Sequence, residues 1–197
     1  MKHYQNQEKC IKKFFKPDVK KEGKDSHNDI LFKTLMLNSF YSTKLQAPLY
    51  VVEYIETIED FYHRVGSDET DYDLIDQIAW KNDRYVGNNE RYNNRRNCFS
   101  FATKYCHHHS PNKFRIYDSF VAKVLIYAQF HHQFYHENFS ESDLQKSYEF
   151  FHKVWDAFKN DDRFNISHFE NWEIDKYLWL LGKDYFPTSK KNQEDEK

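Results

Sequence analysis

In this sequence, the side chains with types and spacings suited to chemistry cluster between positions 95 and 136. Ser100 and Lys104 are four residues apart, so on a helix they share a face and bring a hydroxyl beside an amine. Asp118 precedes Ser-Phe-Val at the head of an apolar run. An aspartate there is a good helix N-cap, stabilising by about 1 kcal/mol, and a capping carboxylate can also point into a cleft. His107, His108 and His109 are consecutive and leave a helix in different directions, so they do not converge on one ion. His132 and His136 are better spaced, at i and i+4, but no Asp, Glu or Cys can be placed beside them. No metal and no organic cofactor is expected.

Helices must position these groups. The chain has only four Gly and four Pro in 197 residues, so few turns are marked and long helices with short connections fit best. Residues 1–28 are Lys-rich and read as a basic N-terminal arm with a short helix around Ile11–Phe15. Helical periodicity then runs from Ile30 to the FYST stretch at 40–43. Pro48 suits the first turn of a helix carrying Val51, Val52, Ile55, Ile58, Tyr62 and Val65 as far as Gly66. Asp71 or Asp73 starts a shorter one. Residues 81–97 are polar and Asn-rich and read as a loop. A helix over about Cys98–His108 follows, then a turn at SPNKF, then a helix opened by Asp118. Two longer helices, about Ser140–Asn160 and Ser167–Tyr185, come before a disordered tail at 187–197. The expectation is all-α: about seven helices in a single compact domain over 29–186.

Net charge is −2, which argues against a uniformly basic nucleic-acid binder. Its distribution is uneven. Between Lys81 and Arg115 eight Lys or Arg face two acids, giving +6 there and −8 elsewhere. Such a patch on a near-neutral protein suits a phosphate-tracking surface, and equally a solvated loop with scattered charges. Aromatic residues make up 19% of the chain, enough for a core and for rings that stack on bases. Three cysteines, Cys10, Cys98 and Cys106, have no zinc-like spacing and cannot supply four thiolates to an iron–sulfur cluster. With no membrane-length apolar run and no signal-peptide block, the expected setting is cytoplasmic and reducing.

The stretch from Ser100 to Leu125, SFATKYCHHHSPNKFRIYDSFVAKVL, resembles the core motif of the helix-hairpin-helix (HhH-GPD) DNA glycosylases. Ser100 falls at the key position of the hairpin's second helix and Ala102 on the following Ala. Phe114, Ile116 and Asp118 match the run before the next helix, and Val121, Lys123, Val124 and Leu125 match its first turns. The fit is similar to members with Ser at the key position, and to a bacterial branch related to 8-oxoguanine glycosylases. The resemblance implies a helical fold of that type that hydrolyses the N-glycosidic bond of a damaged or modified base, in repair or in antiviral defence. Asp118 would be the essential carboxylate, with Ser100 and Lys104 lining the site. Family hairpins read Gly-x-Gly, whereas Asn93–Cys98 contains no Gly. Either the hairpin is built differently, or Arg95 and Arg96 hold a phosphate with their side chains. Lys113 and Arg115 are the other expected DNA contacts.

The implied partner is double-stranded DNA with a flipped-out base, engaged by a monomer. A monofunctional enzyme is expected, with Lys104 the group that would make it a lyase. Two other readings compete. Arg163 and His168 have the Arg-x4-His spacing of all-helical HEPN-type ribonucleases, where the pair cleaves RNA without a metal. In a non-enzymatic helical DNA-binding module, Asp118 would be a cap and nothing more.

Overall fold

A chain poor in turn formers, with its apolar residues at helical spacing, suits helices joined by short connections. The computed structural model describes residues 2–15, 25–43, 45, 47–80 and 98–187, and among these it has ten α-helices and no strand. The expected all-α class is therefore observed. No helix among the described residues is long and apolar enough to cross a membrane. The loop at 81–97, with Arg95 and Arg96, lies outside the described residues, as do part of the N-terminal arm (16–24) and the tail from 188 onward. The chain divides into two compact units, Met1–Phe114 and Arg115–Lys197. The dividing line cuts the one domain read over 29–186, and it falls inside the 100–125 motif.

The first unit contains α1 (Lys2–Phe14), α2 (His27–Tyr41), α3 (Pro48–Thr57), α4 (Phe61–Gly66), α5 (Tyr72–Trp80) and α6 (Phe99–His109). The start of the expected arm is thus helical, and Ile11 and Phe15 at its end are buried. Ser26 opens α2 through a reciprocal capping box with Asp29. Pro48 takes the first position of α3, as its fixed φ and missing N–H favour. The single helix expected up to Gly66 is two. The Ile58 N–H bonds back to the Ile55 carbonyl at 3.2 Å, and Asp60 turns the chain with φ 54° before α4 begins. Asp71 caps α5 by accepting from the Leu74 N–H at 3.0 Å.

Helix α6 is the centre of this unit. Every residue from Phe101 to His107 is buried, which makes it a helix enclosed on all sides rather than amphipathic. Leu37, Val52, Ile55, Leu74, Ile75 and Ile78 from the surrounding helices complete the core.

The second unit contains α7 (Ser119–His132), α8 (Glu141–Lys146), α9 (Tyr148–Asn160) and α10 (Asn171–Tyr185). The long helix expected over 140–160 breaks at Ser147, whose extended backbone ends α8 and whose hydroxyl caps α9. The last helix starts at Asn171 rather than Ser167, after a turn in which Asn165 has φ 51°. Val121, Val124 and Leu125 of α7 are buried, as are Phe151, Val154 and Trp155 of α9 and Ile174 and Leu178 of α10. Gly182 lets α10 come against the Phe120 backbone of α7.

Candidate functional site

Because α6 is enclosed, a lysine on it is buried whichever way it points. Lys104 is 1% exposed, and its Nζ donates to Ser100 Oγ at 2.6 Å, with the Ser100 carbonyl at 3.4 Å. The two residues that share a face by spacing are thus in contact. The ammonium stands 5.5 Å above the Tyr41 ring, and the Tyr41 hydroxyl meets His108 Nε2 at 3.0 Å. Burial, with His107 beside it, holds the His108 imidazole well below its ordinary pKa, so it is neutral at pH 7. A lysine this buried is not a solvent-facing phosphate contact.

The three consecutive histidines do leave α6 in different directions. His107 Nδ1 meets the Phe114 carbonyl at 2.6 Å, fixing the first residue of the motif run, while His108 faces Tyr41. His109 lies among the rings of Phe15, Phe61, Tyr62 and Tyr105. Among the described residues, no three His, Cys, Asp or Glu gather as metal ligands would.

His109 carries a pH prediction. Its Nε2 is 3.9 Å from Asp25, too far for a hydrogen bond, and Lys33 sits 2.5 Å from that same carboxylate and neutralises it. Burial, then the Lys33 charge, lowers the imidazole from 6.5 to about 3. The unfolded chain therefore binds a proton between those values that the folded chain does not. Stability is complete above pH 6.5 and falls toward pH 3, by roughly 1 kcal/mol per pH unit. Urea midpoints at pH 7 and 4.5 read the slope. His109→Phe is expected to flatten it, and an unchanged slope would refute the assignment.

Asp118, the carboxylate singled out in the sequence, lies in the second unit. Asp118 is half-buried and caps α7, its Oδ1 accepting from the Phe120 N–H at 3.0 Å. The residues leading to it are fixed one by one. The Tyr148 hydroxyl accepts from the Arg115 N–H at 2.6 Å and sits 3.2 Å from the Arg115 carbonyl, to which it donates. The buried Asp175 receives the Trp155 indole N–H at 3.0 Å and the Ile116 N–H at 3.5 Å. The Tyr117 hydroxyl donates to Glu141 at 3.1 Å and accepts from Gln145 at 2.6 Å. Asp118 thus ends a run whose main chain is held by side chains of α9 and α10.

Tyr148→Phe tests this mount. The change leaves the Arg115 amide without its buried acceptor, at an expected cost of about 1–3 kcal/mol. A lower urea midpoint with unchanged slope is the expected result; an unchanged midpoint would show that the hydroxyl does not hold the run.

Two residues expected on DNA phosphates have other partners. The Lys113 ammonium donates to the carbonyls of Arg64 (2.9 Å) and Ser67 (3.0 Å) and to the Ser67 hydroxyl (3.0 Å). That closes the C-terminal end of α4, where a cation is favoured. Arg115 is buried, bonded through Nε (3.1 Å) and Nη2 (3.0 Å) to Asp156 and stacked 4.7 Å from the Trp155 ring. Their charges read as surface patch in the sequence, but the fold uses them internally. Tyr148, Asp156 and Asp175 carry no sequence signal, since a hydroxyl or carboxylate within an apolar helical stripe looks like any other member of the helix.

Residues 1–113 match a family model described as "HI_0787_N: N-terminal domain". The chain belongs to this family. The HI_0787_N match ends one residue short of the boundary of the first unit at Phe114, so family and fold mark the same division. A Haemophilus influenzae protein called "Uncharacterized protein" is 40% identical over 153 residues, covering 78% of this chain and 66% of that one. The chain thus spans slightly less than two thirds of this relative's length. No solved structure matches.

Proposed function

We propose that the protein is a DNA glycosylase of the helix-hairpin-helix type that hydrolyses the N-glycosidic bond of a damaged or modified base. The observation that supports the reading best is Asp118: a half-buried carboxylate at the head of α7, on a run clamped by Tyr148, Asp175 and the Tyr117 contacts. Loss of the base leaves positive charge on the deoxyribose ring. A fixed carboxylate beside that ring stabilises the oxocarbenium-like state. It also takes a proton from the water that attacks C1′, while the departing base keeps the electrons of the broken bond. The base gains a proton from solvent, to which Asp118 returns the one it took. The products are a free base and an abasic site.

The burial of Lys104 on Ser100 favours a monofunctional enzyme, because a Schiff-base nucleophile must reach the sugar. The ribonuclease alternative gains nothing. Arg163 is bound to Asp161 through Nε at 2.8 Å and reaches the His132 carbonyl, and both Arg163 and His168 lie in the connection between α9 and α10.

The test is incubation of the protein with duplexes carrying oxidised, mispaired, alkylated or glycosylated-cytosine bases. Strand breaks that appear only after alkali are expected on at least one. Breaks without alkali, trapped by borohydride, would make Lys104 a nucleophile. No breaks on any duplex, with RNA cleaved through Arg163 and His168, would overturn the proposal.

A further inference from the structure

The outer face of α7 has no assigned role. Lys123, Tyr127 and Phe130 recur at i, i+4 and i+7 and so form one stripe, with His131 beside it. Phe130 is 77% exposed and Tyr127 54%, and together they form a contiguous exposed pair. The rings adjoin one another: His131 lies 4.2 Å from Tyr127 and 5.0 Å from Phe130, and Tyr127 lies 6.2 Å from Phe186 after α10.

Two lysines accompany the stripe, one on α7 and one on α10 beside the exposed Asp184. Lys123 stands 5.6 Å over the Phe120 ring, and Phe120 is the residue that Gly182 touches. Lys183, next in sequence, stands 3.9 Å over Trp179. Helix α7 has no carboxylate along its length, so nothing on it offsets Lys123. Lys123 on α7 and Lys183 on α10, each over a ring, thus accompany the exposed rings Tyr127 and Phe130.

We propose that this stripe binds single-stranded DNA, with Lys123 and Lys183 on phosphates and Tyr127 and Phe130 stacked on unpaired bases. The charge fits a polyanion, and the open ring faces fit bases that are not already stacked in a duplex. From residue 123 to 130 the helix rises about 10 Å, enough for two or three nucleotides. The choice of DNA rests on the proposed base excision; the arrangement of rings and cations does not.

The test is fluorescence anisotropy with an undamaged, mixed-sequence, fluorescein-labelled single strand and the full-length protein, at several salt concentrations. Tyr127→Ala and Phe130→Ala are expected to weaken binding about five- to hundredfold each. Lys123→Gln and Lys183→Gln are each expected to lower the slope of log affinity on log salt by about 0.7. Wild-type protein that fails to bind, or ring variants that bind as wild type, would overturn the proposal. So would a wild-type dimer that Phe130→Ala makes monomeric without changing DNA affinity, since the face would then be a contact between copies. The strand is undamaged, so absence of base excision leaves this result standing. A protein that excises bases yet binds no undamaged strand refutes the stripe alone.

Discussion

Asp118→Asn is expected to lower base excision by roughly a hundred- to a thousandfold while leaving the fold intact. The two effects separate because Asn caps a helix about as well as Asp, and its side-chain oxygen can keep the 3.0 Å bond from the Phe120 N–H. What is lost is the negative charge. Removing one group that stabilises transition-state charge costs about 3–4 kcal/mol, which is that range of rate. Asp118→Ala is the poorer variant, since loss of the cap adds about 1 kcal/mol of destabilisation. The decisive measurement is single-turnover release of base by both proteins at matched urea midpoints. Equal rates would reduce Asp118 to a cap and sink the catalytic assignment.

Helix positions were legible wherever the signal was local. The start of α2, the place of Pro48 and the cap at Asp118 follow from side chains within three residues of the helix ends. The breaks at Asp60 and Ser147 were not legible, because hydrophobic spacing continues across both and the turn depends on one residue's backbone angle. The Ser100–Lys104 contact was legible from i,i+4 geometry, but its depth was not. Burial of α6 on every face comes from helices distant in sequence. The roles of two cations of the basic window were hidden for the same reason. Lys113 and Arg115 contribute two of its eight cations, yet their partners, Arg64, Ser67 and Asp156, lie 41 to 49 positions away. Charge counting sees neither.

Gly182→Ala is expected to destabilise the second unit by about 2 kcal/mol or more, although alanine is the better helix former. A Cβ at position 182 would lie 2.6 Å from the Phe120 carbonyl oxygen and 2.7 Å from its Cβ. The obstructing atoms are main chain or the Cβ fixed to it, so no rotamer change relieves the contact and α7 and α10 must part. Overpacking of this kind costs about 1–3 kcal/mol, and the clash with main chain places it at the upper end. The gain in helix propensity from Gly to Ala, about 1 kcal/mol, is smaller. Gly66→Ala is the control: nothing lies within 4 Å of its added methyl, so its stability should be unchanged or slightly higher. Urea unfolding of the two variants beside wild type decides the matter, and a Gly182→Ala protein as stable as the control would refute the close approach. The same shift should also slow excision, because Phe120 lies two residues beyond Asp118 and displacement of α7 carries the carboxylate with it.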